Sequence, residues 1–232
     1  MPVMEQTKDG ALAKFTSLVY LYTGLGVAFW LLSAFALAKN QAFSMPILMW
    51  GAQHRLLATV LAIAIPIGLL YLCQSLAQRS YFLTFVCYIA FLASFSITGM
   101  PIFFAYSAKS IVQATSMTAI AFIVMAGYGY FTRTNLMTWS KTLMIGLIAV
   151  IVVSILNLIL FKSSLAMLII NAITMILFLG FIAFDSQNLK QIYQQNQGAN
   201  LGAIALIASI NLVLDFINLL LSLLSIFGNN DN

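Results

Sequence analysis

The stretch INLVLDFINLLLSLLSIFG, residues 210–228, decides the fold. Its polar residues Asn211, Asp215, Asn218, Ser222 and Ser225 recur at steps of four, three, four and three. That spacing is one face of an α-helix. Every other residue from Leu212 to Phe227 is apolar. A helix facing lipid all round would not carry such a stripe. This one must turn its polar face toward other protein or toward water inside a bundle. Asn and Ser are accounted for by helix–helix hydrogen bonds. Asp215 is not, because an Asn would make the same contact without a charge.

A second aspartate lies in the same kind of sequence, FLGFIAFDSQ at 178–187. Asp185 and Asp215 are the only acidic residues between Asp9 and Asp231. An ionised carboxylate in hydrocarbon is costly, so acids in such places mark function. Asn171, Thr174, Phe178 and Asp185 fall within about 60° on a helical wheel. Both segments therefore aim an aspartate along a partly polar face. Side by side, the two carboxyl groups would compete for one proton. Counted from the middle of their connection near Gln197, the aspartates differ in depth by six residues, about 9 Å of helical rise. A non-helical start through Asn200–Gly202 would absorb part of it.

The rest of the chain fits this reading. Of 232 residues, 62% are hydrophobic and 6% charged. A soluble domain carries about a quarter charged residues. This chain is predicted to be an all-α integral membrane protein whose partner is the lipid bilayer. Seven apolar runs reach the length of about 20 residues that spans a bilayer. They cover 15–38, 55–77, 81–100, 112–131, 142–161, 165–190 and 203–227. The domain organisation is then a cytoplasmic tail over 1–14, a seven-helix domain over 15–228 and a short tail over 229–232. The first run is longer than a signal-peptide core and reads as a retained helix.

Ten basic residues against five acids are spread singly between the runs, which is a topology signal and not a nucleic-acid patch. With the N-terminus inside, Lys8, Lys14, Arg79, Arg133, Lys141 and Lys190 face the cytoplasm. Lys39, Arg55, Lys109 and Lys162 then lie outside, and so does the C-terminus. Pro66, in the second run, removes a backbone hydrogen bond and is a hinge candidate. Cys73 and Cys87 read as small buried hydrophobes, and His54 has no second metal ligand near it in sequence. No Ser/His pairing, phosphate loop or zinc spacing is present, so no catalysis and no cofactor are expected.

Three segments carry a family resemblance. FDSQNLKQIY at 184–193 resembles the (Y/F)DTQ signature of the Bax inhibitor-1 (transmembrane Bax-inhibitor-motif) proteins, with Ser186 in place of Thr. LDFINLLLSLLSIFG at 214–228 is similar to the family's ending, although Val213 stands where Tyr is common. RTNLMTWSK at 133–141 resembles its short basic loop before the fifth helix. The resemblance runs from about residue 15 onward.

It implies seven helices with the C-terminal helix central in the bundle. For a bacterial member it implies a pH-sensitive calcium leak gated by the paired aspartates, here Asp185 and Asp215. Arg79 matches a basic position that pairs with a carboxylate when the path is shut. The pair would hold Ca²⁺ only in passage, with Asn211, Asn218, Asn171 and Ser222 lining the path. Ca²⁺ is then the transported ion, not a cofactor. Two other functions use the same pair: a proton-coupled cation exchanger and an intramembrane aspartyl protease. The protease reading lacks the GxGD and PAL motifs it needs. An aspartate pair that only fixes helix packing is the structural alternative.

Overall fold

A computed structural model describes residues 2–228; the tail expected at 229–232 lies outside them. Nine α-helices are found among the described residues: α1 Pro2–Lys39, α2 Gln41–Gln53, α3 Arg55–Ala77, α4 Tyr81–Gly99, α5 Ile102–Ala105, α6 Ala108–Phe131, α7 Ser140–Leu156, α8 Ser164–Gln195 and α9 Leu201–Phe227. A 3₁₀ turn, Leu136–Trp139, precedes α7, and a π-turn, Asn157–Phe161, follows it. Seven helical segments among the described residues are long and apolar enough to cross a membrane. Each contains or overlaps a run read from the sequence.

Helix starts are set by small polar caps. Ser107 Oγ accepts from Ser110 N at 3.1 Å to open α6, and Asn200 Oδ1 accepts from Ala203 N at 3.2 Å to open α9. These bonds satisfy amide donors that the first helical turn leaves unpaired. The turn after α7 is closed by Asn157, whose Oδ1 accepts from Ser163 N and whose Nδ2 donates to Ser163 O.

Two departures from the sequence reading concern connections. First, Gln41–Gln53 forms a helix, α2, despite Pro46; that segment is too short to span and carries no charge. Second, the hydrophilic connection expected at Gln191–Gly202 is mostly helical. Leu189 and Tyr193 are both buried, so an apolar stripe carries α8 on to Gln195, and Tyr193 packs its ring on Phe15 at 5.7 Å. Only residues 196–200 turn, with Gly198 at φ +99°, a conformation that favours glycine.

The chain divides into two compact units. One contains the chain up to Ala105 together with Ile192–Ile210. Its core includes Trp30, whose indole N–H donates to Phe95 O at 3.0 Å, and Tyr88, whose hydroxyl donates to Tyr22 O at 2.8 Å. Cys73 and Cys87 are free and buried there, with their thiols side by side. Pro66 lies buried within α3 and Arg79 lies exposed just past its end.

The other unit contains Tyr106–Gln191 and the chain from Asn211 on. A close backbone approach joins α6 and α8. A Cβ on Gly129 would strike the carbonyl of Ala183, two residues before Asp185. Glycine is required there because no side chain can swing aside. At Gly127, one half-turn earlier, a Cβ would meet nothing. Gly129→Ala is expected to lower the unfolding midpoint in detergent, costing about 1–3 kcal/mol or more. Gly127→Ala is expected to be neutral or slightly stabilising, by up to about 1 kcal/mol. Parallel thermal melts of the two variants check this.

Candidate functional site

The site is built on α8 and α9, within the second unit. The most apolar stretch of α9 is 72% buried, against 39% or less in every other span. A polar face there meets protein rather than lipid. Asp185 and Asp215 are brought together, each carboxyl group within hydrogen-bonding reach of the other. Asp215 is 5% exposed, and its Oδ2 is buried without a hydrogen-bond partner. The depth mismatch counted from the sequence shrinks because α8 continues to Gln195. Asp185 lies ten residues before the end of α8 and Asp215 fourteen after the start of α9. The remaining four residues are about 6 Å of rise.

A second contact fixes the same two helices farther along. Asn171 Nδ2 donates to Ser225 Oγ at 2.6 Å. Between the two contacts the stripe is partly satisfied by its own helix. Asn218 Nδ2 donates to Leu214 O at 2.8 Å, and the buried Ser222 Oγ donates to Asn218 O at 2.9 Å. Asn211, one turn before Asp215, is exposed. The path-lining residues read from the sequence thus have different settings: Asn171 is tied to Ser225, Asn218 and Ser222 bond backward along α9, and Asn211 is open. Among the described residues, no three His, Cys, Asp or Glu side chains gather as a metal site. The pair offers a cation two carboxylates and nearby amide oxygens, short of the six to eight oxygens of a Ca²⁺ cage.

The surroundings tie both helices to α6. Phe216, next to Asp215, packs on Phe122 of α6 with ring centroids 5.8 Å apart. Lys190 donates to Tyr130 O at 2.7 Å and sits over the Tyr130 ring at 4.8 Å. Its charge therefore closes the end of α6 rather than standing free in a loop.

Sequence reasoning assigned no role to Gln187, two residues after Asp185. Its Oε1 accepts from Leu136 N at 2.7 Å and its Nε2 donates to Thr134 O at 2.8 Å. One amide thus staples α8 to the loop 133–141. The signal was the FDSQ segment itself, since a glutamine two residues past the aspartate presents a paired donor and acceptor. Gln187→Ala leaves a backbone N–H and a carbonyl unpaired, at about 1–3 kcal/mol for each that stays buried. Gln187→Glu keeps the acceptor and loses the donor. The Ala variant should melt lowest and the Glu variant between it and the parent, read by thermal unfolding.

Comparison with known proteins places the chain in a family. A family described as Inhibitor of apoptosis-promoting Bax1 matches residues 12–232. Inner membrane protein YbhL of Escherichia coli (strain K12) is 33% identical over 204 residues, covering 86% of each chain. An uncharacterized membrane protein of Streptococcus pyogenes serotype M1 is 27% identical over 99% of this chain and 98% of its own. A protein of Borreliella burgdorferi is 30% identical over 94% of this chain and 93% of its own. With the match running from the first span through the aspartate-bearing last one, the chain belongs to the Bax inhibitor-1 family of membrane proteins.

Proposed function

We propose that the chain is a pH-sensitive leak pathway for Ca²⁺, gated by a proton shared between Asp185 and Asp215. The observation that carries this reading is the facing pair of carboxyl groups, with Asp215 Oδ2 left buried and unpartnered. One proton held between them ties α8 to α9. Its loss leaves two like charges in low dielectric, which repel or recruit a cation. Protonation of both removes the attraction for that cation. The pair is therefore both the proton sensor and the point at which an ion is held in passage.

Ca²⁺ suits an all-oxygen site, and the oxygens here are too few to trap it. A transient ligand set favours conduction over storage. The polar stripe of Asn211, Asn218 and Ser222 continues from the pair along α9, with Asn171 facing it from α8. We place the protein in the inner membrane, as the name of the Escherichia coli relative says of that protein. The single basic residues orient the N-terminus toward the cytoplasm. A reporter fused after the last helix should then register as outside, and activity on the cytoplasmic face would overturn the orientation.

The decisive measurement is Ca²⁺ flux from proteoliposomes between about pH 5 and pH 8, with Asp185→Asn and Asp215→Asn alongside. A single-proton event changes flux by at most about tenfold per pH unit. The parent should approach that steepness over part of the range, and both variants should flatten. Both variants titrating like the parent would exclude the shared-proton gate. Lower stability with unchanged flux would reduce the pair to packing. Flux that requires a proton gradient and saturates would make the protein an exchanger. Cleavage of a model helical substrate, lost in either variant, would make it a protease.

A further inference from the structure

We propose that the first unit binds one anionic phospholipid, with an acyl chain in the groove between α2, α3 and α4 and the phosphate at Arg55. The groove has a volume of about 370 Å³. Ile47 and Trp50 of α2 form one wall, and Ile97 of α4 forms another. Its floor is α3 from Ala58 to Pro66. Small residues make the indentation: a Cβ on Gly51 would lie 3.8 Å from that of Ala58, so α2 sits close on α3 at one end. Ser94 and Thr98, the hydroxyl residues in the wall, donate to their own helix at Phe91 O and Phe95 O. The interior therefore asks for hydrocarbon rather than for a polar ligand.

The dimensions select a lipid chain. α3 begins at Arg55, which must sit at the membrane surface because the following residues are apolar. From Arg55 to Pro66 the helix rises about 16 Å. That is half of the roughly 30 Å hydrocarbon core, or one leaflet. The groove thus runs from the interface to the bilayer midplane, where an acyl chain of one leaflet lies.

Charge selects the headgroup. Arg55 is exposed, three residues before the groove begins at Ala58. Beside it, His54 stacks on the groove-lining Trp50 with ring centroids 5.3 Å apart. No acidic residue occurs in 10–105 or 192–210, so the first unit offers Arg55 no carboxylate from its spanning helices. A lipid phosphate with a net negative headgroup supplies the missing counter-charge. Trp50 at the same level matches the amphipathic rings that gather at membrane interfaces.

The inference is independent of the proposed ion path. Its test is quenching of Trp50 fluorescence by brominated lipids in proteoliposomes, with the Trp50 component isolated by subtracting a Trp50→Phe variant. Brominated phosphatidylglycerol is compared with brominated phosphatidylcholine across mole fractions. Half-quenching should come at a phosphatidylglycerol fraction about fivefold lower, the preference one basic residue gives at an anionic surface. Arg55→Gln should remove the difference while leaving quenching by phosphatidylcholine unchanged. Ala62→Phe, which fills the floor, should weaken quenching by both lipids. Equal quenching by the two lipids in the parent means ordinary annular lipid and overturns the proposal. Absence of quenching by either means that protein covers the groove, and overturns it as well. If Ala62→Phe does not fold, the parent and Arg55→Gln comparison still decides.

Discussion

Two carboxyl groups facing each other between α8 and α9 are the constraint around which the second unit is arranged. A lone ionised carboxylate in hydrocarbon is unfavourable by several kcal/mol. Set against a second one, it gains a proton-mediated partner but also a like charge at close range. Such a contact persists only where the backbones are held from elsewhere. The holding contacts lie within a few residues of the pair: Gly129 against Ala183, Phe122 against Phe216, Gln187 on the loop at Thr134 and Leu136, and Lys190 on Tyr130. None of them is an ion pair. The pair therefore sits in a frame of contacts that do not themselves involve a carboxylate.

The stripe on α9 divides by how its hydrogen bonds are spent. Ser225 is fixed by Asn171 from the neighbouring helix. Asn218 and Ser222 donate to carbonyls one turn back on α9 itself. Side chains bonded to their own helix move with it and do not hold a partner, and each keeps oxygen lone pairs free to accept. The middle of the stripe therefore offers acceptor oxygens without tying the two helices together. The two ends, the carboxyl pair and Asn171–Ser225, do the tying.

Much of this was legible from residue types. The seven spans followed from apolar runs, and the polar face of α9 followed from the 4-3-4-3 spacing that begins at Asn211. The pairing of Asp185 with Asp215 followed from two faces on consecutive antiparallel segments. What the sequence hid were features whose signal is geometric. The helix at Gln41–Gln53 is masked by Pro46 and by the absence of charge, so it has no visible amphipathic period. The extension of α8 past Lys190 looks like a polar loop, because its buried positions Leu189 and Tyr193 are separated by Lys190, Gln191 and Ile192 and followed by two glutamines. Gly129 is one of 13 glycines, and only the proximity of the Ala183 carbonyl sets it apart. The role of Gln187 is hidden because its partners lie some fifty residues earlier in the chain.

The position of Gln187 also links two segments that the family resemblance treated separately. Asp185 and Gln187 are two residues apart on one helix, so they point in directions about 160° apart at 100° per residue. One side of α8 therefore faces Asp215 while nearly the opposite side holds the loop 133–141. The groups bonded there are backbone on the loop side, Leu136 N and Thr134 O, and a side-chain amide on α8. Arg133 and Lys141 border that loop, so one helix carries both the aspartate that faces Asp215 and the amide that holds the basic loop.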